Sequence, residues 1–511
     1  MTTQNFSKQI PKNLFVNILS FLSTVLIGLW LTPYLLEHLG IVAYGLIPLA
    51  MFLSQYVSVI INAINMSINR FLLIALQKKQ DQDANEIFNT ALVILFIFIF
   101  IQALVMGSML WDITQFFTIP TELIVDATWL FGLTFVGFSI SLFRSVFGTS
   151  MFAYNRLDIL RMIDIVQNVV RVVSIVALFL YDEPSLKYIG MANLLAAMSA
   201  VLPTLYYFRQ YTPQLKVNVG FFSKHRTAEL SKMSTWVLIN QVGVLLLGNI
   251  DLYLVNVWLG TQATGEYAIV LQFTSIFKTF LTLLAGILTP VIMIYYAKGD
   301  FEKLKQFTII SSKIMVAGLT LPLALLIGFS EEILRFWLGN KYVYMHTLIS
   351  FALLFFVFAI PVIPLFNVTV AYNKVKLPAL LAVGFGIFNI MAIYFFTTRT
   401  DLGLWGVVSV KLLLEILFSS FILLYVSKIL DMRWISLCYV YLYAVISFLF
   451  IYFIIKLIKN MIFIETFIQL SLVSAMMMFI FPPIMLTVLF SKEEKMMLTN
   501  KYPILKRVLI W

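Results

Sequence analysis

Long apolar runs separated by short polar turns recur along the entire chain. Each run is about 20 residues or longer, enough to cross a hydrocarbon core as a helix. They predict about fourteen spans, near 14–36, 42–74, 87–111, 123–152, 159–180, 187–208, 233–258, 265–296, 307–329, 343–371, 377–397, 403–426, 435–455 and 467–490. The runs are continuous, whereas a membrane β-barrel alternates apolar and polar positions in short segments. The connections are too short to hold a folded extramembrane domain. The longest, 209–232, follows the sixth run and reads as a linker.

Polar residues inside the runs keep helical phase. Gln55, Ser58, Asn62, Asn65 and Asn69 of the second run fall within a sector of roughly 80°. In the fifth run Arg161, Asp164, Gln167, Asn168 and Arg171 occupy a sector of roughly 120°. Asn240 and Asp251 share a face of the seventh run, with Asn240 central and Asp251 nearer the outer end. A polar side chain at membrane depth is costly, so such stripes are expected to face protein or water.

The pattern also repeats. "HLGIVAYGL" at His38 faces "WLGTQATGEY" at Trp258, matching Leu39, Gly40 and Gly45 to Leu259, Gly260 and Gly265. Gly28 matches Gly248 and Lys78 matches Lys298 at the same offset. Ala153-Tyr154-Asn155, followed by Arg156, matches Ala371-Tyr372-Asn373, followed by Lys374, and Gly190 matches Gly406. The polar face of the second run maps onto Ser275, Lys278, Thr282, Ala285 and Thr289 of the eighth, again mostly polar. The expected fold is an all-α polytopic membrane protein with two parallel six-helix repeats and two extra C-terminal helices. Its parts are a first bundle over 1–208, a linker over 209–232, a second bundle over 233–426, and two helices with a tail over 427–511. Repeats of this kind are related by an axis along the membrane normal, with a substrate path expected between the halves.

Composition agrees: 61% of the 511 residues are hydrophobic and only 12% charged, against about a quarter charged in soluble domains. The start of the chain lacks the order of a cleaved signal peptide, so the first run is expected to be a retained span. With the N-terminus inside, the inner segments carry 23 Lys and Arg and the outer ones 6. This bias predicts cytoplasmic termini. It accounts for most of the net charge of +11 by a basic surface facing anionic lipid, with no nucleic-acid partner. Cys438 is the single cysteine, which rules out an intrachain disulfide and a cysteine metal cluster.

The two Leu-Gly-x4-Gly elements, the six-six-two layout and the Ala-Tyr-Asn-base turns resemble bacterial polysaccharide transporters. These are oligosaccharide-lipid flippases of the multidrug/oligosaccharidyl-lipid/polysaccharide (MOP) exporter superfamily. The resemblance covers the chain from about Lys12 to Phe490. It implies a MATE-like fold in a bacterial cytoplasmic membrane. It also implies alternating-access translocation of polyprenyl-diphosphate-linked oligosaccharides, such as O-antigen, capsule or exopolysaccharide precursors. Membrane lipids, a glycan polymerase and assembly proteins are the partners it suggests.

Against that background the intramembrane charges sort into roles. Lys411 and Glu415, four apart on one helix, are expected to pair. Arg70, Arg144 and Lys313 lie near the inner side, within snorkelling reach. Asp164 is a partner for Arg161 or Arg171. Arg171 and Lys278 remain the deepest cations, and a diphosphate headgroup would answer them. The candidate substrate-binding set is therefore Arg171, Lys278, Arg161, Gln55, Asn62, Asn168 and Asn240. Asp251, Asp164 and Glu415 are candidates for coupling to a proton or sodium gradient, with no other cofactor and no metal. Arg156, Lys374 and Arg70 are candidates for substrate admission or anchoring at the cytoplasmic face. Pro361 and Pro364 interrupt the tenth span and Pro290 the eighth, as hinges or fixed bends.

Two other transporter readings share the layout: a flippase for lipid-linked peptidoglycan precursors, with the same diphosphate, and a multidrug antiporter. An antiporter of organic cations calls for net acid in its cavity, and the candidates here are mostly basic. An enzyme is not expected. There is no phosphate loop, no His-Glu-x-x-His, and His38, His225 and His346 lie far apart in the sequence.

Overall fold

A computed structural model describes residues 6–248, 250–491 and 494–495. The helices are α1 (Phe6–Gln77), α2 (Asp81–Trp111), α3 (Ile124–Ala153), α4 (Leu157–Tyr181), α5 (Leu186–Ser199), α6 (Val201–Tyr211), α7 (Lys224–Gly248) and α8 (Asp251–Ala297). They continue as α9 (Phe301–Gly328), α10 (Ser330–Leu338), α11 (His346–Leu353), α12 (Phe355–Ala359), α13 (Ile363–Ala371), α14 (Lys376–Thr398), α15 (Leu404–Ile429), α16 (Trp434–Met461) and α17 (Phe467–Leu489). No strand occurs among the described residues. Twelve segments are long and apolar enough to cross a membrane. This is compatible with about fourteen spans, because Phe15–Phe52 and Gln241–Ala297 each take in parts of two runs. The chain divides into two compact units, Met1–Ala268 and Ile269–Trp511.

The repeat is written in backbone conformation. Gly40 breaks α1 at φ 77°, ψ 167°, and Gly260 breaks α8 at φ 83°, ψ −176°. Only glycine adopts such a conformation without severe strain. Lys79, Asn155, Gly299, Asn373 and Asp431 all have φ between 49° and 70°. At each of the five, the amide of that residue bonds a carbonyl three residues back and the next amide bonds one five back, as Asn155 to Phe152 and Arg156 to Met151. This is the Schellman ending, which satisfies carbonyls left over at a helix C-terminus. Lys79 pairs with Gly299 and Asn155 with Asn373 at the repeat offset. All five lie in segments that the charge bias assigns to the cytoplasm. The asparagine of Ala-Tyr-Asn-base is thus the left-handed residue of the cap, a conformation Asn tolerates, and the base follows it.

Inside unit 1 the two Leu-Gly-x4-Gly elements meet. A Cβ on Gly265 would lie 2.2 Å from the Ile41 carbonyl oxygen, and one on Gly45 would lie 2.6 Å from the Gly265 nitrogen. Backbone touches backbone here, so no side chain can yield. Nearby Asn256, fully buried, takes the Thr118 amide on its Oδ1 and donates to the Thr118 carbonyl and to the Thr264 hydroxyl. Elsewhere in the unit Phe88, Phe147 and Phe208 join α2, α3 and α6, with ring centroids 5.0–5.6 Å apart.

Three features depart from an uninterrupted reading of the runs. The seventh run is broken, because α7 ends at Gly248 and α8 begins at Asp251. The sixth is divided between α5 and α6, with Pro203 in the first turn of α6, where its missing amide costs least. The tenth breaks between α12 and α13 as its prolines predict, with Pro364 in the first turn of α13. Pro290 lies inside α8 without a second break there.

The 209–232 linker is held closely. Asn85 of α2 takes the Lys216 amide at 2.7 Å and donates to the Gln214 carbonyl at 3.1 Å. One turn on, Asn89 takes the Asn218 amide and donates to the Lys216 carbonyl, both at 2.8 Å. Thr90 takes the Ser223 amide, and Arg226 pairs with Asp83. Two buried asparagines therefore read an extended backbone as a neighbouring strand would.

Two outcomes follow. Gly265→Ala should sharply lower the yield and thermal midpoint of folded protein in detergent. Gly286→Ala, where nothing lies within 4 Å of the added carbon, should be neutral or stabilising by up to about 1 kcal/mol through helix propensity. Equal behaviour of the two variants would show that the glycine contact does not constrain the fold. Asn89→Ala strands two partly hydrated backbone groups and should cost about 1–2 kcal/mol, with faster tryptic cleavage after Lys216 and Lys224. Unchanged cleavage in the Asn85→Ala/Asn89→Ala double variant would dismiss the clamp.

Candidate functional site

In unit 1 the polar stripe of α4 carries a graded set of charges. Asp164 accepts from Arg144 of α3 at 3.0 Å and from Arg161 at 3.3 Å. Arg161 also donates from Nε to Asn17 of α1 at 2.9 Å. Asp164 therefore serves Arg144 and Arg161, not Arg171. Arg144, expected to snorkel, instead holds Asp164 with a side chain only 15% exposed, leaving its Nε and Nη1 buried without hydrogen bonds. The fixed carboxylate on the neighbouring helix is a better partner than a stretched path to water.

Arg171 lies ten residues beyond Arg161 on the same face, about 15 Å further along the helix. It forms no ion pair with any described residue, and its Nε is buried without a hydrogen bond. Asn168, one turn earlier, is half-buried and makes no hydrogen bond to a described residue. In the second half of α1, Asn65 donates to Ser145 of α3 at 2.9 Å, while its Oδ1 and that of Asn69 are buried and without a hydrogen bond to a described residue. The stripe predicted for the second run thus turns inward at these two positions. The side chains of Gln55, Asn62, Arg70 and Asn240 lie outside the described residues.

Unit 2 holds a second cluster, on α8, α15 and α16. Lys278 is exposed on the same face of α8 as Ser275 and Thr282. Protein nevertheless surrounds it closely enough that Lys411 and Glu415 of α15 act on it electrostatically. We read this combination as a side chain lining a recess. Glu415 accepts from the Ser419 hydroxyl at 2.7 Å and feels the charges of both Lys278 and Lys411. Lys preceding Glu by four residues is the weaker orientation for a helical pair, and Ser419 offers the carboxylate a donor one turn further on. The Tyr441 hydroxyl of α16 lies beside Ser419 and Ser420 and feels the Glu415 charge. The cluster thus brings together Lys278, Lys411 and Glu415.

Asp251 is fully buried and accepts from the Tyr267 hydroxyl at 3.2 Å. It is the first residue of α8, where the helix N-terminus favours a carboxylate. It lies nine residues before the Gly260 break, roughly 13 Å along the helix.

Arg156 belongs to a closed network. Asp158, almost fully buried, accepts from Arg156 at 3.0 Å and Gln9 at 2.8 Å and pairs with Lys12 at 2.9 Å. Arg156 also donates to the Tyr211 hydroxyl. The bond to Asp158 raises the Arg156 guanidinium above its ordinary value. Asn13 donates to the Asn155 carbonyl and accepts the Asp158 amide. Lys374, its counterpart in the second repeat, is exposed and forms no ion pair with a described residue. Lys313, also expected to snorkel, is bound by Glu494 just after α17 at 2.8 Å. Sequence reasoning missed that partner because it lies 181 positions away.

Comparison with known proteins places this architecture. A family described as "Polysaccharide biosynthesis protein" matches residues 10–295, and one described as "MatE" matches residues 237–395. The chain is 29% identical over 418 residues to the uncharacterized membrane protein EpsK of Bacillus subtilis (strain 168), covering 82% of this chain and 83% of that one. Its fold is similar to that of the lipid II flippase MurJ in an inward closed conformation, with a TM-score of 0.67, 13% identity, and coverage of 92% of this chain and 98% of the other. It is equally similar to a multidrug resistance MATE family transporter of the MOP superfamily in an inward-facing conformation, at a TM-score of 0.67, 14% identity, and coverage of 81% and 94%. With the first of these families matching more than half of its length, the chain belongs to the polysaccharide biosynthesis protein family, as a multi-pass membrane transporter with a MATE-like fold.

Proposed function

We propose that the protein is a flippase that carries polyprenyl-diphosphate-linked oligosaccharide repeat units across the bacterial cytoplasmic membrane by alternating access, with both termini in the cytoplasm. The observation that carries this reading is Arg171, a guanidinium at membrane depth with no carboxylate partner among the described residues. A charge in that position is expensive, and a ligand diphosphate offers the bidentate oxygens that a guanidinium suits. Lys278 supports the reading independently, as a cation on the polar face of a membrane-spanning helix in the other unit. Arg161, Asn168, Gln55, Asn62 and Asn240 would bind headgroup or sugar oxygens. The prenyl tail would stay in lipid.

The excess of base disfavours organic cations as cargo. A lipid-linked peptidoglycan precursor carries the same diphosphate and is the second reading, distinguished by its glycan. Asp251, Asp164 and Glu415 are the carboxylates available for coupling to a proton or sodium gradient. Of these, Asp251 is favoured by its position at a helix start in a broken span, since such breaks commonly hold coupling ions in transporters.

Arg171→Gln should insert normally and reduce translocation of a diphosphate-linked oligosaccharide in proteoliposomes by roughly 10- to 100-fold, the worth of one charge-assisted interaction. Arg171→Lys should recover part of the loss. Wild-type surface glycan in a null strain complemented with Arg171→Gln would sink the assignment. The same vesicles loaded with a lipid-linked peptidoglycan precursor should show little transport, and faster transport of that lipid would favour the second reading. Asp251→Asn should reduce only the gradient-stimulated part of the rate. An equal response to an imposed ion gradient in wild type and variant would remove Asp251 from coupling.

A further inference from the structure

The two Ala-Tyr-Asn-base turns share one backbone and differ in chemistry. In both, the base follows a left-handed asparagine, and its amide caps a carbonyl five residues back at 2.8 Å. In the first turn the residue two positions after the base is Asp158, which pins Arg156 and Lys12. At the repeat offset its counterpart is Lys376. One acid has been replaced by a base, and Lys374 lacks the ion pair that Arg156 makes.

Beside this second turn is a recess, a cavity of about 540 Å³ in unit 2, at the junction of α13, α14 and α15. Lys374, Lys376 and Lys428 line it together with Leu377, Leu380 and Ile429. Lys374 and Lys428 form no ion pair with a described residue, and no acid lines the cavity. The acid nearest to Lys428 in sequence, Asp431, acts on Lys305. Tyr425 donates its hydroxyl to the Lys374 carbonyl at 3.1 Å and so ties α15 to the turn. Leu377 and Leu380 are 42% and 47% exposed at the start of a membrane-spanning helix, where exposed apolar side chains meet acyl chains.

We propose that this recess binds the phosphate headgroup of an anionic phospholipid of the inner leaflet. The ammonium groups of Lys374 and Lys428 hold the phosphodiester oxygens, and the leucines take the first carbons of an acyl chain. A soluble phosphate would use the lysines and leave the leucines without a role. The recess is a lipid site separate from the translocation chemistry around Arg171 and Lys278, so either assignment survives the failure of the other.

The test uses full-length protein in detergent, with lipid retention followed by native mass spectrometry and thermal stability measured in parallel. Wild-type protein should retain phosphatidylglycerol in preference to phosphatidylcholine and be stabilised by it. Lys374→Gln/Lys428→Gln should weaken phosphatidylglycerol binding about tenfold per lysine removed, and Lys374→Arg/Lys428→Arg should keep it. Lys341→Gln, outside the recess, should bind as wild type does. Equal retention of the two phospholipids, or undiminished binding by the double Gln variant, would overturn the proposal. Stabilisation by inorganic phosphate alone that matches the lipid would make the recess a soluble-anion site. Displacement of phosphatidylglycerol by a polyprenyl diphosphate at lower concentration would make it a port for cargo, and both outcomes reject the phospholipid.

Discussion

A charge or backbone group that enters a membrane must be answered within the chain or by something it binds, because hydrocarbon answers nothing. Most of this structure is a solution to that constraint. Five helix ends on the basic side close with Schellman caps, so their carbonyls are satisfied before the chain turns. Asp164 is shared by two arginines, Lys313 has Glu494, and Glu415 has a serine. What the chain leaves unanswered is short by comparison, and Arg171 is its clearest member. Burial of a cation without a partner among the described residues reduces stability, which is why the proposed function gives it a ligand anion.

The duplicated architecture was legible because it rests on local chemistry. Glycine at positions 40 and 260 and asparagine at 155 and 373 are demanded by backbone conformations that few other residues adopt. Such positions survive as sequence echoes even where surrounding apolar residues have drifted, since one membrane-facing Leu, Ile or Phe serves nearly as well as another. The phase of polar residues was legible for the same reason, as at Asn65, Asn69 and the stripe of α4. Family membership followed from the order of these elements and not from any one of them.

Partnerships were not legible. Arg144 finds Asp164 across a helix pair, Asn85 and Asn89 find backbone 127–131 positions away, and Lys313 finds an acid beyond the last helix. Spacing along one helix did not reveal that Glu415 also takes the Ser419 hydroxyl. The break before Asp251 was hidden by an apolar run that reads as continuous. Hydropathy reports the cost of exposing side chains and is blind to where the backbone stops being helical.

Duplication also gives a way of separating structural from functional charge. Where two copies of a turn keep the same caps, the backbone requirement is common, and any change in charge must answer to something else. Asp158 serves the fold, since it gathers Lys12, Arg156 and Gln9 around the start of α4. At the equivalent place the second copy has Lys376, two positions after Lys374, which forms no ion pair with a described residue. Lys278 contrasts with Ser58 in the same way, as a cation standing where the other repeat has only a hydroxyl. The second copy therefore carries cations at two depths where the first has an acid and a hydroxyl, and the phosphate-bearing lipids proposed above would have a use for both.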